Sequence, residues 1–128
     1  MFTIEQIDEL HRRLGNADTL LCYVRSLAEL GVVRYDSFVS DGHSEYIGLD
    51  GRRVKSPPAH DVLSVAEDSD RDAFLDHLRR HEHGETSYME MSKGLADSGV
   101  QRWTVETYPM TMTYYDIAGE VLLVEQIT

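Results

Sequence analysis

Three of the six histidines fall in one short run, His77-x-x-x-His81-x-His83, with Glu82 and Glu85 beside them. Histidines four residues apart share a helical face and can bring two ring nitrogens to one metal ion. A structural or catalytic site needs a third ligand, and His83 falls where that helix is ending. The ordinary role of such a run is a solvated helix end, where imidazole meets the negative pole of the dipole. His77, His81 and His83 are therefore the metal candidates, and no cofactor is expected. A second grouping is Ser40-Asp41-Gly42-His43. A carboxylate and an imidazole held together on a turn form an acid–base pair, which makes Asp41 and His43 the catalytic candidates. Turn chemistry alone also accounts for the aspartate and glycine. Arg34 and Arg102 could converge on a carboxylate or phosphate, or each pair with a neighbour such as Asp36 or Glu106. The chain contains no Gly-rich phosphate loop, no His-Glu-x-x-His and no Gly-x-Ser-x-Gly.

These residues need elements to hold them. Thr3-x-x-Gln6 is a capping box, followed by Ile4, Ile7, Leu10 and Leu14 at helical spacing. Gly15-Asn16 ends that helix. A second helix runs from about Ala17 to Leu30, with Leu20, Leu21, Val24, Leu27 and Ala28 inward, and Gly31 stops it. A hairpin follows. Val33, Tyr35, Ser37 and Val39 share one face, and Val32, Arg34, Asp36 and Phe38 the other. Asp41-Gly42 and Asp50-Gly51 make its turns. Residues 55–60, with Pro57-Pro58, read as a linker, and a short strand is expected around Asp61 to Val65. Ser69-x-x-Asp72 opens a third helix running to about His81. A fourth begins near Thr86, with Tyr88, Met91, Leu95 and Ala96 inward until Gly99. Strands around Trp103, from Thr111 to Asp116 and from Glu120 to Gln126 complete the chain.

The second half repeats the first. At an offset of 68 (95 − 27), residues 27–54 align without a gap to 95–122, with seven of 28 positions identical. Unrelated segments would match at roughly two. The expected architecture is α+β, a single domain over 1–128. Two αα-plus-hairpin halves, about 16–54 and 84–122, share one antiparallel sheet with helices packed on one face.

Twelve Lys and Arg against 23 Asp and Glu leave a net charge of −11. That field repels phosphate backbones and anionic lipid heads, so neither nucleic acid nor membrane is an expected partner. Cys22 alone allows no internal disulfide, and it reads as a small buried hydrophobe. With no signal peptide and no membrane span, the expected compartment is the cytoplasm. Tyr35, Tyr46, Tyr88, Tyr114 and Tyr115 read as core and cross-strand packing; a ligand cavity between helices and sheet has no support at this level.

Three stretches together resemble the YbcV-like family of small bacterial and prophage proteins of unknown function. They are Tyr35-x-x-x-Val39-Ser40-Asp41-Gly42-His43-x-x-Tyr46-x-Gly48, Phe74-x-x-x-Leu78, and His81-x-x-Gly84-x-Thr86-x-Tyr88. The tail, Gly99-Val100-x-x-Trp103 with Met112-Thr113-Tyr114-Tyr115-Asp116, is similar too. Some members are labelled phage envelope or IpaB/EvcA proteins, names without a mechanism. The resemblance implies kinship of fold and no activity. It directs attention to Asp41, Gly42, His43, His81, Gly84 and Thr86. The ligand-binding candidates are Arg34, Arg102, Tyr46, His81 and Thr86. The expected function is a non-enzymatic binding or accessory protein, acting on a protein partner or a small ligand, with a homodimer through sheet edges or helices as one form. The alternatives are a small acid–base or metal-dependent enzyme, at Asp41/His43 or at the histidine run, and a phage-derived regulatory factor.

Overall fold

A computed structural model describes residues 2–14 and 19–127. The helix stop read at Gly15-Asn16 and the helix start at Ala17 lie outside the described residues. Helix α1, Ile4–Leu14, is entered through the expected capping box. The Gln6 N–H donates to Thr3 Oγ1 at 3.3 Å, and the Thr3 N–H to Gln6 Oε1 at 2.9 Å. Helix α2, Leu20–Leu30, stops at Gly31, whose φ of 99° is left-handed and suits glycine. Helix α3, Arg71–Glu82, is capped one residue later than expected: Asp70, rather than Ser69, accepts from the Ala73 N–H at 3.1 Å. Helix α4, Tyr88–Asp97, opens on a reciprocal Ser87/Glu90 box.

The strands are β1 Val32–Phe38, β2 Ser44–Gly48, β3 Arg53–Lys55, β4 Val100–Glu106, β5 Thr111–Asp116 and β6 Val121–Gln126. They form one antiparallel sheet in the order β3-β2-β1-β4-β5-β6. With the four helices among the described residues, this is the expected α+β class. The two hairpins meet at the centre, where β1 pairs β4. Their registers coincide at the same offset: Tyr35 faces Tyr46, and Trp103 (35 + 68) faces Tyr114 (46 + 68). Across the central pair Asp36 sits opposite Thr104, which is 36 + 68. A local twofold exchanging the hairpin registers therefore passes between those two residues.

One face of the sheet carries Tyr35, Ser37, Tyr46, Val105, Met112 and Tyr114, all buried. The helices cover it with Tyr23, Val24, Leu27, Phe74, Leu78 and Leu95. Alternation places Val32 on the outer face with Arg34, but it is buried at 1 %. The cause is a bulge between Val32 and Arg34 that resets the two-residue period. The same irregularity recurs between Val100 and Arg102. At the first bulge the Thr107 hydroxyl reaches the Val32 and Val33 carbonyls, at 2.8 and 3.1 Å.

Three other expectations fail. No strand forms over 61–65, because Leu63 and Ala66 donate to different elements, to the carbonyls of Ser40 and Ala96, rather than to one ladder. Cys22 is exposed, not buried, since it shares the polar stripe of α2 with Arg25 and Glu29. Ala28 is exposed and Tyr88 is 42 % exposed, both at the margins of their helices' buried stripes. Among the described residues no helix is long and apolar enough to cross a membrane.

Candidate functional site

The inner face of the sheet and the helices do not close on each other completely. Between them lies a cavity of about 750 Å3, within the range of small-molecule sites. Its floor is strand side chains: Tyr35, Ser37, Ser44 and Tyr46 from the first hairpin, Trp103, Met112 and Tyr114 from the second, and Glu125 from β6. Its roof comes from every helix, with His11, Tyr23, Leu78, His81 and Leu95 among the contributors. The strand period of two explains the floor, because alternate residues must share a face.

The aromatic rings line the cavity in two groups, one at each hairpin. Tyr23 meets Tyr35 edge-on at 6.2 Å, Tyr35 lies 5.2 Å from Tyr46, and Trp103 lies 6.3 Å from Tyr114. Within it, polar atoms are sparse and largely paired. The Tyr23 and Tyr46 hydroxyls share a bond of 3.2 Å, and the Ser37 and Ser44 hydroxyls one of 2.7 Å. The Tyr114 hydroxyl donates only to Met112 Sδ at 2.9 Å, a weak acceptor. The Tyr35 side chain is 5 % exposed, and its hydroxyl has no hydrogen-bond partner among the described residues. Burial pushes the phenols of Tyr35 and Tyr114 well above their ordinary range, so both stay protonated and able to donate. Burial, and then the nearby Glu82 carboxylate, raises Glu125.

The residues singled out from sequence are scattered relative to this cavity. Tyr46 and His81 line it. The His81 Nδ1 lies 3.2 Å from the Thr86 carbonyl oxygen, so Thr86 orients His81. His77 packs against α4 at Gly94, where an added Cβ would come within 2.5 Å of its ring, and His83 lies 3.8 Å from Glu85. The three histidines thus turn to three different neighbours. Among the described residues no group of three or more His, Cys, Asp or Glu is arranged to hold a metal ion.

Asp41 and His43 are close, with Oδ1 to Nδ1 at 2.5 Å, but the imidazole is enclosed. Its ring stacks on Phe38 at 4.5 Å, and its Nε2 lies 3.6 Å from Glu45. The His43 backbone N–H is the first cause holding Asp41 below the usual carboxylate range. Both imidazole nitrogens therefore face carboxylates of their own hairpin, an arrangement that braces a turn and leaves neither nitrogen free for a substrate. Arg34 and Arg102 lie on the outer face. Arg34 is opposite Glu106 and Arg102 opposite Phe38, four residues apart along the strand, roughly 13 Å. Arg102 instead covers the Tyr115 ring at 4.0 Å and donates to Thr104 Oγ1 at 3.0 Å.

Sequence reasoning passed over Tyr23, Tyr35, Ser37, Glu82 and Glu125 as site residues. The available signal was that Tyr35, Tyr46, Trp103 and Tyr114 share one sheet face at repeat-related positions.

The molecule is thus a helix-roofed antiparallel sheet built around an aromatic cavity. Residues 8–126 match the family model described as a protein of unknown function, DUF1398, and the chain belongs to that family. No curated protein matches the chain significantly.

Proposed function

We propose that this protein is a non-enzymatic binding protein whose cavity holds one small, largely apolar molecule. The observation that carries the reading is the cavity itself, about 750 Å3 walled by aromatic rings and containing an unpartnered Tyr35 hydroxyl. The Tyr35 hydroxyl is a donor without a partner among the described residues, and a bound molecule with one polar group can accept from it. The enclosed His43 supports binding over acid–base catalysis. We take the two halves to be copies of one 68-residue unit, a reading supported by hairpin registers and bulges that recur at that offset. The YbcV-like resemblance is compatible with this reading and adds no activity to it.

Trp103 is the sole tryptophan and lines the cavity, so its fluorescence is a direct reporter. A fragment library of neutral and charged aromatic compounds is expected to yield binders that shift Trp103 emission. In 1H–15N spectra these binders should move Tyr35, Tyr46 and Leu95. Binders that map only to the outer face around Arg34 and Arg102 would overturn the reading, as would a library with none.

A further inference from the structure

The polar wall of the cavity has one sign. No lysine or arginine lines it among the described residues, while Glu82 and Glu125 do. Glu125 projects from the inner face of β6, where its register partner is Met112. Glu82 ends α3, the pole of a helix least suited to a carboxylate. The two are near enough for Glu82 to act on the Glu125 charge, and both act on the buried Tyr114. Neither forms an ion pair among the described residues, although other surface carboxylates such as Glu9 and Asp76 do.

His81 also lines the cavity, its Nδ1 held 3.2 Å from the Thr86 carbonyl oxygen and 3.4 Å from the Thr86 hydroxyl. Independently of these acids, the 5 %-exposed Tyr35 brings an unpartnered hydroxyl to the cavity. Acceptors at one end and electron-rich ring faces along the walls together suit a positively charged group. An ammonium carries three donors and no acceptor, the complement of that wall.

We propose that the ligand is an organic cation, a protonated amine on an aromatic or aliphatic body. Glu82 and Glu125 hold the ammonium, and the body lies along Trp103, Tyr114 and Tyr35. The proposal rests on the cavity reading above and narrows it to one chemical class.

The test is calorimetric titration of the full chain at pH 7 with 4-phenylbutylamine, 4-phenylbutan-1-ol and 4-phenylbutyrate. These three share a body and differ in the charge of one end. Each is repeated on Glu125→Gln, Glu82→Gln and a surface control, Glu85→Gln, with folding checked by circular dichroism. The amine is expected to bind at least ~10-fold more tightly than the alcohol, with the acid weakest. Loss of one charge-assisted bond should cost the amine about 10-fold in Glu125→Gln or Glu82→Gln, leaving the alcohol unchanged. Glu85→Gln should bind like the parent, which separates the cavity from attraction to an acidic surface. If Glu125→Gln does not fold, Glu82→Gln at the exposed helix end carries the comparison. Equal binding of the alcohol or the acid, or an amine affinity indifferent to both Gln variants, would overturn the proposal. In that event alcohol binding that shifts Trp103 would leave the cavity reading intact, whereas no binding by any of the three would overturn both.

Discussion

Tyr35 and Tyr46 of the first hairpin stand where Trp103 and Tyr114 stand in the second, aromatic for aromatic. One step along the same face the match ends. The first hairpin has Ser37 opposite Ser44, with hydroxyls bonded at 2.7 Å, and the second has Val105 opposite Met112. The turns diverge too. Gly42, at φ 76°, is answered by Met110 at φ 70°, and the braced Asp41/His43 pair by Pro109 and Thr111. The framework is common to both halves, while the polarity of the cavity is set separately by each. A cavity with one hydroxyl-lined end and one acid-lined end can orient what it holds, which a symmetrical one cannot.

The comparison can be broken most forcefully at the roof. Leu27 and Leu95 are equivalent helix positions, both fully buried, but only Leu95 borders the cavity. Leu27→Ala should cost ~3–5 kcal/mol in urea unfolding. Leu95→Ala, which widens a space already present beside it, should fall near ~2–3 kcal/mol. A larger loss at Leu95 would mean that the roof over the cavity is as closely packed as the rest of the core.

Next in size is the serine pair. Ser37→Val alone leaves Ser44 Oγ buried without its partner and should cost about 1–3 kcal/mol. Adding Ser44→Met copies the second hairpin's pair and should recover part of that loss. A double-mutant cycle with no coupling would show that the two hydroxyls do not depend on each other. Smaller still, Tyr46→Phe removes the bond to Tyr23 and should cost about 1 kcal/mol, whereas Tyr35→Phe removes a hydroxyl with no partner and should cost nothing measurable. Equal losses in thermal melts would show that Tyr35 does have a partner.

The smallest effects have opposite signs in the two halves. Asp41 is held low by the His43 N–H. Its stabilisation is present above the unfolded value of about 3.9 and is lost as pH falls through the lower folded value. Glu125 is raised by burial and then by Glu82. Its favourable contribution is full below about 4.3 and is lost as pH rises through the higher folded value. Asp41→Asn should therefore lower stability at pH 7, and Glu125→Gln should raise it, with both differences fading toward pH 3. Melts from pH 3 to 8 check the signs.

Local chemistry made much of the fold legible. The glycine stop at Gly31, the turn at Asp41-Gly42 and the capping box at Thr3/Gln6 each depend on residues a few positions apart. The α2 stripe of Cys22, Arg25 and Glu29 was also readable, and its charged members outweigh the apolar look of Cys22. The bulge that turns Val32 inward was not readable, because its carbonyls are held by Thr107, a long way off in sequence. The cavity was less legible still. That Tyr35 and Tyr114 would share a face follows from alternation, but that the helices would stand off from them is a property of packing between elements. His43 looked reactive because sequence shows its neighbour Asp41 without showing Phe38 stacked over the ring.

At the seam of the sheet, Asp36 is held by the Thr104 hydroxyl, with Oγ1 to Oδ1 at 2.5 Å. A residue on an axis of this kind becomes its own neighbour whenever a hairpin associates with an identical one from another molecule. Two first hairpins joined in that way would set carboxylate against carboxylate, an arrangement that like-charge repulsion disfavours. In the observed seam the same position sets a hydroxyl donor against a carboxylate acceptor, so β1 is better matched to β4 than to a second copy of itself.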